Sequence, residues 1–328
     1  MSDAAVVALP TVAGLDLTPG AGTRVDAHAH AWIDPPEGVP PEAALPLRDE
    51  AFQSAELRRL ALAAAPRRAA LVDCQPPACG RDARALARLS NSSGVSISAV
   101  TGFHLARYYP GGIRPWRDAA SAADCFVREL HQGMAELPDR RAGLIKAAHT
   151  GRRGDDPAMW EAVVAARAAT DALLLVHTER GAGVEDLVSD VLDLGVPAAK
   201  LYLCHVDKRP DHGLLRDLAR AGVLLGFDTI VRPKYRPETT TWPLLQRLVQ
   251  EDGLAPAIAL GLDLAEAAMW RGGTINGPAA LVHHVEAELG HRDFDARTID
   301  ALLGENLLDR AARSTTRPSM SPTTPPTR

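Results

Sequence analysis

The stretch Thr23-Arg-Val-Asp-Ala-His-Ala-His30 decides the fold of this 328-residue chain. Small apolar residues alternate in it with Asp26, His28 and His30, which is the pattern of a short β-strand. Residues two apart in a strand point to the same side, so the two imidazoles can reach a single ion. An isolated His-x-His pair is more often a pair of surface or capping histidines, and the rest of the chain has to decide between these alternatives.

Four later stretches share one form, an apolar run that ends in a residue able to bind a metal. They are Gly143–Lys146, Leu173–His177, Leu201–His205 and Ala257–Asp263. Continuous apolar runs predict strands buried on both faces, and such strands belong to parallel sheets covered by helices. In an α/β barrel, functional residues lie at the C-terminal ends of the strands. The sequence therefore predicts a single-domain (β/α)8 TIM barrel with its site at one end.

The other elements alternate as this fold requires. Further strands are predicted at 69–74, 95–102 and 223–228, and helices at about 47–65, 117–136, 156–169, 183–194, 242–251, 277–289 and 295–312, with another helix opened by the segment 80–82. The barrel itself is expected to span 23–312. Residues 1–22 are expected to form either an edge hairpin or a plug under the barrel. The Ser/Thr/Pro-rich tail 313–328 is expected to be disordered.

Composition excludes several classes of partner. The net charge of -5 and the pI of about 6.1 leave no global basic field to recruit nucleic acid or an anionic membrane. The four cysteines lack zinc-finger spacing and are expected to be reduced thiols. The first 23 residues contain no Lys or Arg and no apolar run is long enough to cross a bilayer, so we expect a cytoplasmic protein.

Along the predicted barrel, the candidate metal ligands are His28, His30, Lys146, His177, His205 and Asp263. Their order and strand positions resemble the amidohydrolase superfamily, and within it the phosphotriesterase-like family. The resemblance covers roughly residues 24–310. Taken singly, each residue has an ordinary alternative role, such as a helix cap for Asp263 or a snorkelling side chain for Lys146.

The resemblance implies a centre with two divalent metal ions, zinc first and manganese or cobalt as alternatives. Lys146 would carry a carbamate that bridges the ions, because a cationic amine beside two dications is untenable. His28, His30 and Asp263 would hold the buried ion, and His177 and His205 the exposed one. A metal-bridging hydroxide would attack a carbonyl or phosphoryl centre, with Asp263 as the catalytic residue that relays the proton.

Basic residues follow predicted strands six and seven, in Asp207–Asp211 and Val231–Pro237. These stretches resemble the subgroup that hydrolyses phosphorylated sugar lactones. The resemblance implies a phosphate grip formed by Lys208, Arg232 and Tyr235, with Lys234 less directly placed, and a solvated basic loop is the alternative. His104, after strand three, is expected to line the pocket. The other histidines are expected to be surface or helix residues, namely His131, His149, His212, His283, His284 and His291.

The favoured function is hydrolysis of a small, anionic, phosphorylated sugar lactone. Alternatives are a phosphotriesterase or phosphodiesterase, a carboxypeptidase-like amide hydrolase, and a non-catalytic barrel that senses a metal and a phosphorylated ligand. Two features depart from the family: the first motif reads Asp-Ala-His-Ala-His, and the usual N-terminal strand pair is not recognisable. Barrels of this kind often dimerise through rim loops, so a homodimer is one expectation, although the sequence leaves the oligomeric state open.

Overall fold

A computed structural model describes residues 7–271 and 275–314. Its main sheet has eight parallel strands, in the spatial order in which they follow one another along the chain. With the short N- and C-terminal strands, the elements are β1 (Val7–Ala8), β2 (Arg24–Ala29), β3 (Ala69–Asp73), β4 (Ser96–Gly102), β5 (Leu144–His149), β6 (Leu174–Thr178), β7 (Leu201–Leu203), β8 (Leu224–Phe227), β9 (Ile258–Leu260) and β10 (Arg313–Ser314).

The first and last strands of the sheet, β2 and β9, meet and close the barrel. The backbone N–H of Asp263 donates to the carbonyl of His28 at 2.8 Å, and the N–H of Leu262 donates to the carboxylate of Asp26 at 3.0 Å. The predicted (β/α)8 barrel is therefore confirmed. All C-terminal strand ends lie at one face, as the connections of a parallel barrel require.

Helices follow the strands and cover the outside of the barrel. Their bounds are α1 (Glu50–Ala64), α2 (Ala83–Ser93), α3 (Ala119–His131), α4 (Pro157–Thr170), α5 (Val184–Asp193), α6 (His212–Arg220), α7 (Thr241–Gln246), α8 (Ala287–His291), α9 (Ala296–Asp300) and α10 (Asn306–Ala311). Local sequence sets several ends: Asp82 caps α2, and Gly94 ends it in the left-handed region with φ 79°.

Two layers of apolar side chains hold the barrel together. The outer layer lies between the strands and the helices, and the inner layer fills the barrel with side chains such as Val25, Val72, Leu175 and Tyr202. Burial of this kind contributes about 25 cal/mol per Å² of apolar surface removed from water. The packed interior leaves the strand ends as the place where polar side chains can converge.

The N-terminal extension combines both structures proposed for it. Leu9 and Leu17 pair as an antiparallel bridge, and both side chains are fully buried in the inner layer, so the segment is a small hairpin that plugs the barrel. Strand β1 pairs with β10, which places Arg313 and Ser314 in the ordered fold and not in the predicted tail. The rest of that tail, 315–328, lies outside the described residues.

Three further observations bear on the sequence analysis. The predicted helix 277–289 begins later, as a π-helical turn at Leu281–Glu286 that continues into α8. All four cysteines are free. Among the described residues, no helix has both the length and the apolar character needed to cross a membrane.

Candidate metal centre and catalytic cavity

Six side chains predicted as metal ligands come together at the C-terminal face of the barrel. His28 lies in β2 and His30 one residue beyond it, Lys146 lies in β5, and His177 lies in β6. His205 and Asp263 follow β7 and β9 with φ values of 64° and 47°. Non-glycine residues rarely adopt this left-handed backbone, and strain of this kind clusters at functional sites.

The Asp263 carboxylate, after β9, lies close to side chains from β2 and from the end of β7. Its Oδ1 lies 3.7 Å from the Nε2 of His28 and 3.7 Å from the Nε2 of His30. Ligand atoms of His28, His205 and Asp263 all lie within 4.8 Å of one another, and all three residues are buried. Imidazole nitrogens and a carboxylate oxygen at this spacing suit zinc and related divalent ions.

A second pair of imidazoles lies beside this group. The Nδ1 of His177 and the Nε2 of His205 are 3.0 Å apart, and the two ring centroids are 4.8 Å apart. His177 is partly exposed, whereas His205 has 1% of its surface exposed. The geometry therefore has a deeper set of donors around Asp263 and a shallower set around His177, and the assignment of these residues to two ions stays a prediction.

Lys146 decides whether these residues fit a metal centre. Its side chain has 0% exposure, and its Nζ has no hydrogen-bond partner among the described residues. An unpaired ammonium in such a place is strongly unfavourable. The Nε2 of His28 and the Nδ1 of His30 are likewise buried without a hydrogen bond in the described part of the chain. A cluster of orphaned polar atoms of this type fits a site built for metal ions.

The buried imidazoles are held in the neutral state. Burial lowers the pKa of His28 well below its ordinary value, and the nearby positive charge of Lys146 lowers it further. The same two causes lower the pKa of His30 to about 4. Burial also lowers the pKa of His205 well below its usual range. Neutral imidazole is the form that binds a metal, so the site is prepared for one without first losing a proton.

Asp228 supports two of the predicted ligands and was missed by the sequence reasoning. It lies just beyond β8 with 0% exposure, and its Oδ1 accepts a hydrogen bond from His205 Nδ1 at 2.7 Å. Its Oδ2 lies 3.2 Å from the Nδ1 of His28. Outer carboxylates of this type orient metal-binding imidazoles and leave the other ring nitrogen free for the ion. A signal was present, because Asp228 ends an apolar strand in the same way as Asp263.

Asp26 was also missed as a functional residue, although it lies in β2, two residues before His28. Its Oδ1 accepts from the backbone N–H groups of His28 at 3.2 Å and Leu262 at 3.0 Å, so one buried oxygen links β2 to the end of β9. Burial raises the pKa of this carboxyl to about 8. Its role is to hold the two strand ends that carry His28 and Asp263.

A cavity of about 180 Å³ opens above these residues. One side is polar, with His30, His104, His177, His205 and Asp263. An apolar side of the lining comes from the segment between β2 and α1, including Ile33, Pro35, Val39, Ala43 and Leu45. The proline-dense loop after the first strand therefore borders the site. A largely apolar lining with a few convergent polar groups is typical of a small-molecule site.

The predicted phosphate-binding residues lie near Asp263 but do not all face the cavity. Arg232 lines it, and its Nη2 lies 2.7 Å from Asp263 Oδ2 and also donates to the Asp263 carbonyl. Lys208 Nζ lies 3.9 Å from Asp263 Oδ2 and 5.7 Å from the ring centre of Tyr235. Lys234 is exposed, with Nζ 5.2 Å from the same ring. Their binding role stays a prediction.

Positive charge around Asp263 keeps this residue ionised. Burial by itself would raise the pKa of its carboxyl, but the pKa is lowered because the guanidinium of Arg232 and the side-chain amine of Lys208 face it. Arginine stays charged at every accessible pH, so Arg232 favours the ionised carboxylate throughout. An ionised carboxylate at this position can both ligate a metal and accept a proton.

His104 lies at the cavity wall, where the sequence analysis expected it. It is 6% exposed, and its ring centre is 4.8 Å from that of His177. Its Nδ1 accepts a hydrogen bond from the backbone N–H of Leu105 at 2.7 Å. Burial lowers its pKa well below the usual value, so the ring is neutral and its proton is on Nε2. His104 is thereby a hydrogen-bond donor beside the predicted exposed ion.

The expectation for His149 is wrong. This residue is neither on the surface nor in a helix, but is the last residue of β5 and is 4% exposed. Strand β5 continues three residues past Lys146, and an odd offset in a strand turns a side chain to the opposite face. His149 therefore faces the space between α4 and α5 and takes no part in the centre.

The family model for the Phosphotriesterase family matches residues 23–308 of this chain. The chain belongs to this family. The resemblance seen in the sequence is thus confirmed over the whole barrel. Membership of the phosphotriesterase family implies a centre with two divalent metal ions, and the converging His and Asp side chains supply donors for it.

Individual relatives add more specific likenesses. The chain is 29% identical to a phospho-furanose lactonase of Mycoplasmopsis synoviae over 212 residues, covering 59% of each protein. Its fold is similar to that of a lactonase from Listeria monocytogenes (TM-score 0.80, 21% identity, covering 94% of this chain and 100% of the other) and of an amidohydrolase from Mycoplasma synoviae (TM-score 0.81, 23% identity, covering 95% and 94%). The chain spans only between 52% and 59% of the length of three of the curated relatives it matches.

Proposed function

We propose that this protein is a metal-dependent hydrolase that opens a small, phosphorylated sugar lactone. The observation that carries the proposal is the fully buried, unpartnered Lys146 amine beside a ring of His and Asp donors. Conversion of this amine to a carbamate would replace a buried positive charge by two anionic oxygens. The proposed ligands are His28, His30 and Asp263 for the deeper ion, His177 and His205 for the shallower ion, and carbamylated Lys146 for both, with zinc as the proposed metal.

Two divalent ions bound here would supply an acidified water and polarise a substrate oxygen, which is the chemistry of ester and lactone hydrolysis. The chain's own residues supply the rest. Asp263, ionised and within reach of His28 and Arg232, accepts a proton from the attacking water and delivers it to the leaving oxygen. His104 donates from Nε2 toward the substrate at the cavity wall.

An anionic substrate is supported by the charges around Asp263. Arg232 and Lys208 both lie within 4 Å of this carboxylate, so they bring two basic side chains to one edge of the site. A phosphate on the substrate would compete with Asp263 for these cations, since guanidinium binds phosphate and carboxylate oxygens in the same way. The name of the curated relative, a phospho-furanose lactonase, supports the same class of substrate.

A second candidate is hydrolysis of a neutral lactone or phosphotriester. The observation that favours it is the apolar side of the cavity, formed by Ile33, Pro35, Val39, Ala43 and Leu45. A sugar phosphate has little apolar surface to bury there, whereas an alkyl or aryl group would gain about 25 cal/mol per Å². The two candidates share the metal centre and differ in the group that binds above it.

The test is turnover by the protein reconstituted with zinc and bicarbonate, on matched sugar lactones with and without a terminal phosphate and on a neutral phosphotriester. We expect kcat/KM to be at least about 100-fold higher for the phosphorylated lactone, which corresponds to about 2.7 kcal/mol of phosphate binding. Because Arg232 also contacts Asp263, we expect R232M to lower the turnover of every substrate. The diagnostic result is a reduction of at least about 10-fold in the ratio between phosphorylated and unphosphorylated lactone.

Arg220 provides the control for this variant. It lies at the C-terminal end of α6, away from the catalytic face, and is 57% exposed, so R220M should leave the ratio unchanged. Faster turnover of the triester or of the unphosphorylated lactone would overturn the anionic substrate and favour the second candidate. D263N should lose turnover by about 1,000-fold while still binding the substrate, and full retention of turnover in D263N would exclude the proposed proton transfer.

A further inference from the structure

Glu179 lies two residues after His177, whose side chain lines the cavity. Its side chain is 34% exposed, and its Oε1 lies 3.1 Å from His177 Nε2. The same oxygen accepts a hydrogen bond from Arg107 Nη2 at 2.7 Å. We propose that Glu179 is a positioning residue that sets the proton of His177 and ties this ligand to the loop above the cavity. This inference rests on the proposed metal-dependent function.

The argument begins with the two nitrogens that face each other, His177 Nδ1 and His205 Nε2, at 3.0 Å. Each of these rings has a carboxylate at its other nitrogen: Asp228 lies 2.7 Å from His205 Nδ1, and Glu179 lies 3.1 Å from His177 Nε2. A carboxylate accepts hydrogen bonds only, so each neutral ring carries its proton on the side that faces its carboxylate.

Two unprotonated nitrogens then face each other. Such an arrangement is repulsive as it stands, and it becomes favourable when a cation binds both lone pairs. Asp228 and Glu179 are therefore equivalent partners, one for each imidazole of the proposed shallower site. Without Glu179, His177 could carry its proton on Nδ1 and donate it to His205, which would remove one of the two metal ligands.

Arg107 extends this contact to the loop that follows β4. It belongs to the short 3-10 turn Ala106–Tyr108, and it donates to the Tyr108 hydroxyl at 3.2 Å. The ring of Tyr108 packs against His104 with centroids 4.5 Å apart, and both residues line the cavity. Glu179 thus connects a metal ligand on β6 with the loop that positions His104. Its loss should affect metal binding, whereas the loss of Arg107 should affect mainly the loop.

The test measures zinc binding directly, by titrating metal-free protein with Zn²⁺ against a chromophoric chelator, and measures lactone kinetics separately. We expect E179A to bind the weaker of two Zn²⁺ ions about 10- to 100-fold less tightly than the unaltered protein. E179Q keeps a carbonyl oxygen that can accept from His177 Nε2, so it should recover most of this loss. R107M should raise KM while changing Zn²⁺ affinity by less than about threefold.

The pair Arg153–Asp190 offers a matched control. It is also an arginine–carboxylate pair, and its Asp190 side chain is 34% exposed like that of Glu179. Asp190 lies on α5 and Arg153 in the segment before α4, and neither residue lines the cavity. D190N should leave both Zn²⁺ affinities unchanged. Equal Zn²⁺ affinities in E179A and D190N would overturn the role of Glu179. If the unaltered protein itself fails to bind two Zn²⁺ ions, the proposed metal centre fails, and this inference fails with it.

Discussion

Gly102 and Lys146 lie directly opposite each other in the β4–β5 ladder, and no side chain fits between them. A Cβ on Gly102 would overlap the backbone carbonyl oxygen of Lys146, and Gly102 has a φ of 105°. Strand β4 can therefore approach the central lysine only because residue 102 is glycine.

Replacing Gly102 with Ala should lower the free energy of unfolding by about 2 to 4 kcal/mol, because overlap and backbone strain add. It should also weaken zinc binding, since Lys146 must move. Chemical denaturation and Zn²⁺ titration measure both effects. Gly94 is the control: its φ is 79° but its surroundings are open, so Gly94→Ala should cost only about 1 kcal/mol and leave zinc binding intact. Equal costs at the two positions would contradict this account.

Replacing His177 with Asn should reduce the bound metal from two ions to one per chain, because one of the facing nitrogens of the shallower site is lost. Turnover should fall by at least about 100-fold, since two-metal hydrolysis needs both ions. Metal analysis by mass spectrometry after gel filtration gives the stoichiometry. His131, at the end of α3, serves as the comparison, and His131→Asn should keep both ions. Two ions retained by His177→Asn would rule out His177 as a ligand.

Replacing Lys146 with Met should have opposite effects on the stability of the metal-free protein and on its stabilisation by zinc. In metal-free protein the variant should be more stable by about 1 to 3 kcal/mol, because an unpartnered buried polar group is removed. With zinc and bicarbonate present, only the unaltered protein should show a large rise in Tm. Thermal unfolding with and without these additions makes the measurement. An equal zinc-induced rise in both proteins would show that Lys146 takes no part in metal binding.

The buried pair Arg81–Glu129 predicts how stability depends on pH. Arg81 donates two hydrogen bonds to Glu129, at 2.7 and 2.8 Å, and the two residues are 6% and 1% exposed. Burial would raise the pKa of Glu129, but the bonds from Arg81 lower it below its ordinary value of 4.5. The stabilisation is therefore fully present above about pH 4.5 and is lost as the pH falls below it.

Replacing Glu129 with Gln should destabilise the protein by about 3 kcal/mol at pH 7, because Arg81 keeps only Glu136 as a charged partner. The difference between the two proteins should shrink as the pH falls below 4.5. Urea denaturation at a series of pH values follows it. A difference that stays constant down to pH 3 would show that the charge of Glu129 contributes nothing to stability.

Much of the site could be predicted from the sequence, because the placement of its residues depends on their positions along the strands. Parallel strands that end in ligand-type residues must bring those residues to one face, so Lys146, His205 and Asp263 were predictable without coordinates. The strand period of two explains why His28 and His30 point the same way. The same period could have excluded His149, but only once the end of β5 was known, and strand ends are the least certain part of a sequence-based assignment.

By itself, then, the sequence determined the barrel, the order of its strands and the six residues at their ends, because these follow from local periodicity and from the connections of a parallel sheet. Only the tertiary structure decided the partners of those residues. Asp228 beside His205, and Arg107 across from Glu179, come from segments far apart in the chain. Such contacts depend on barrel closure and on side-chain rotamers, and the spacing of residues along one strand predicts neither of these.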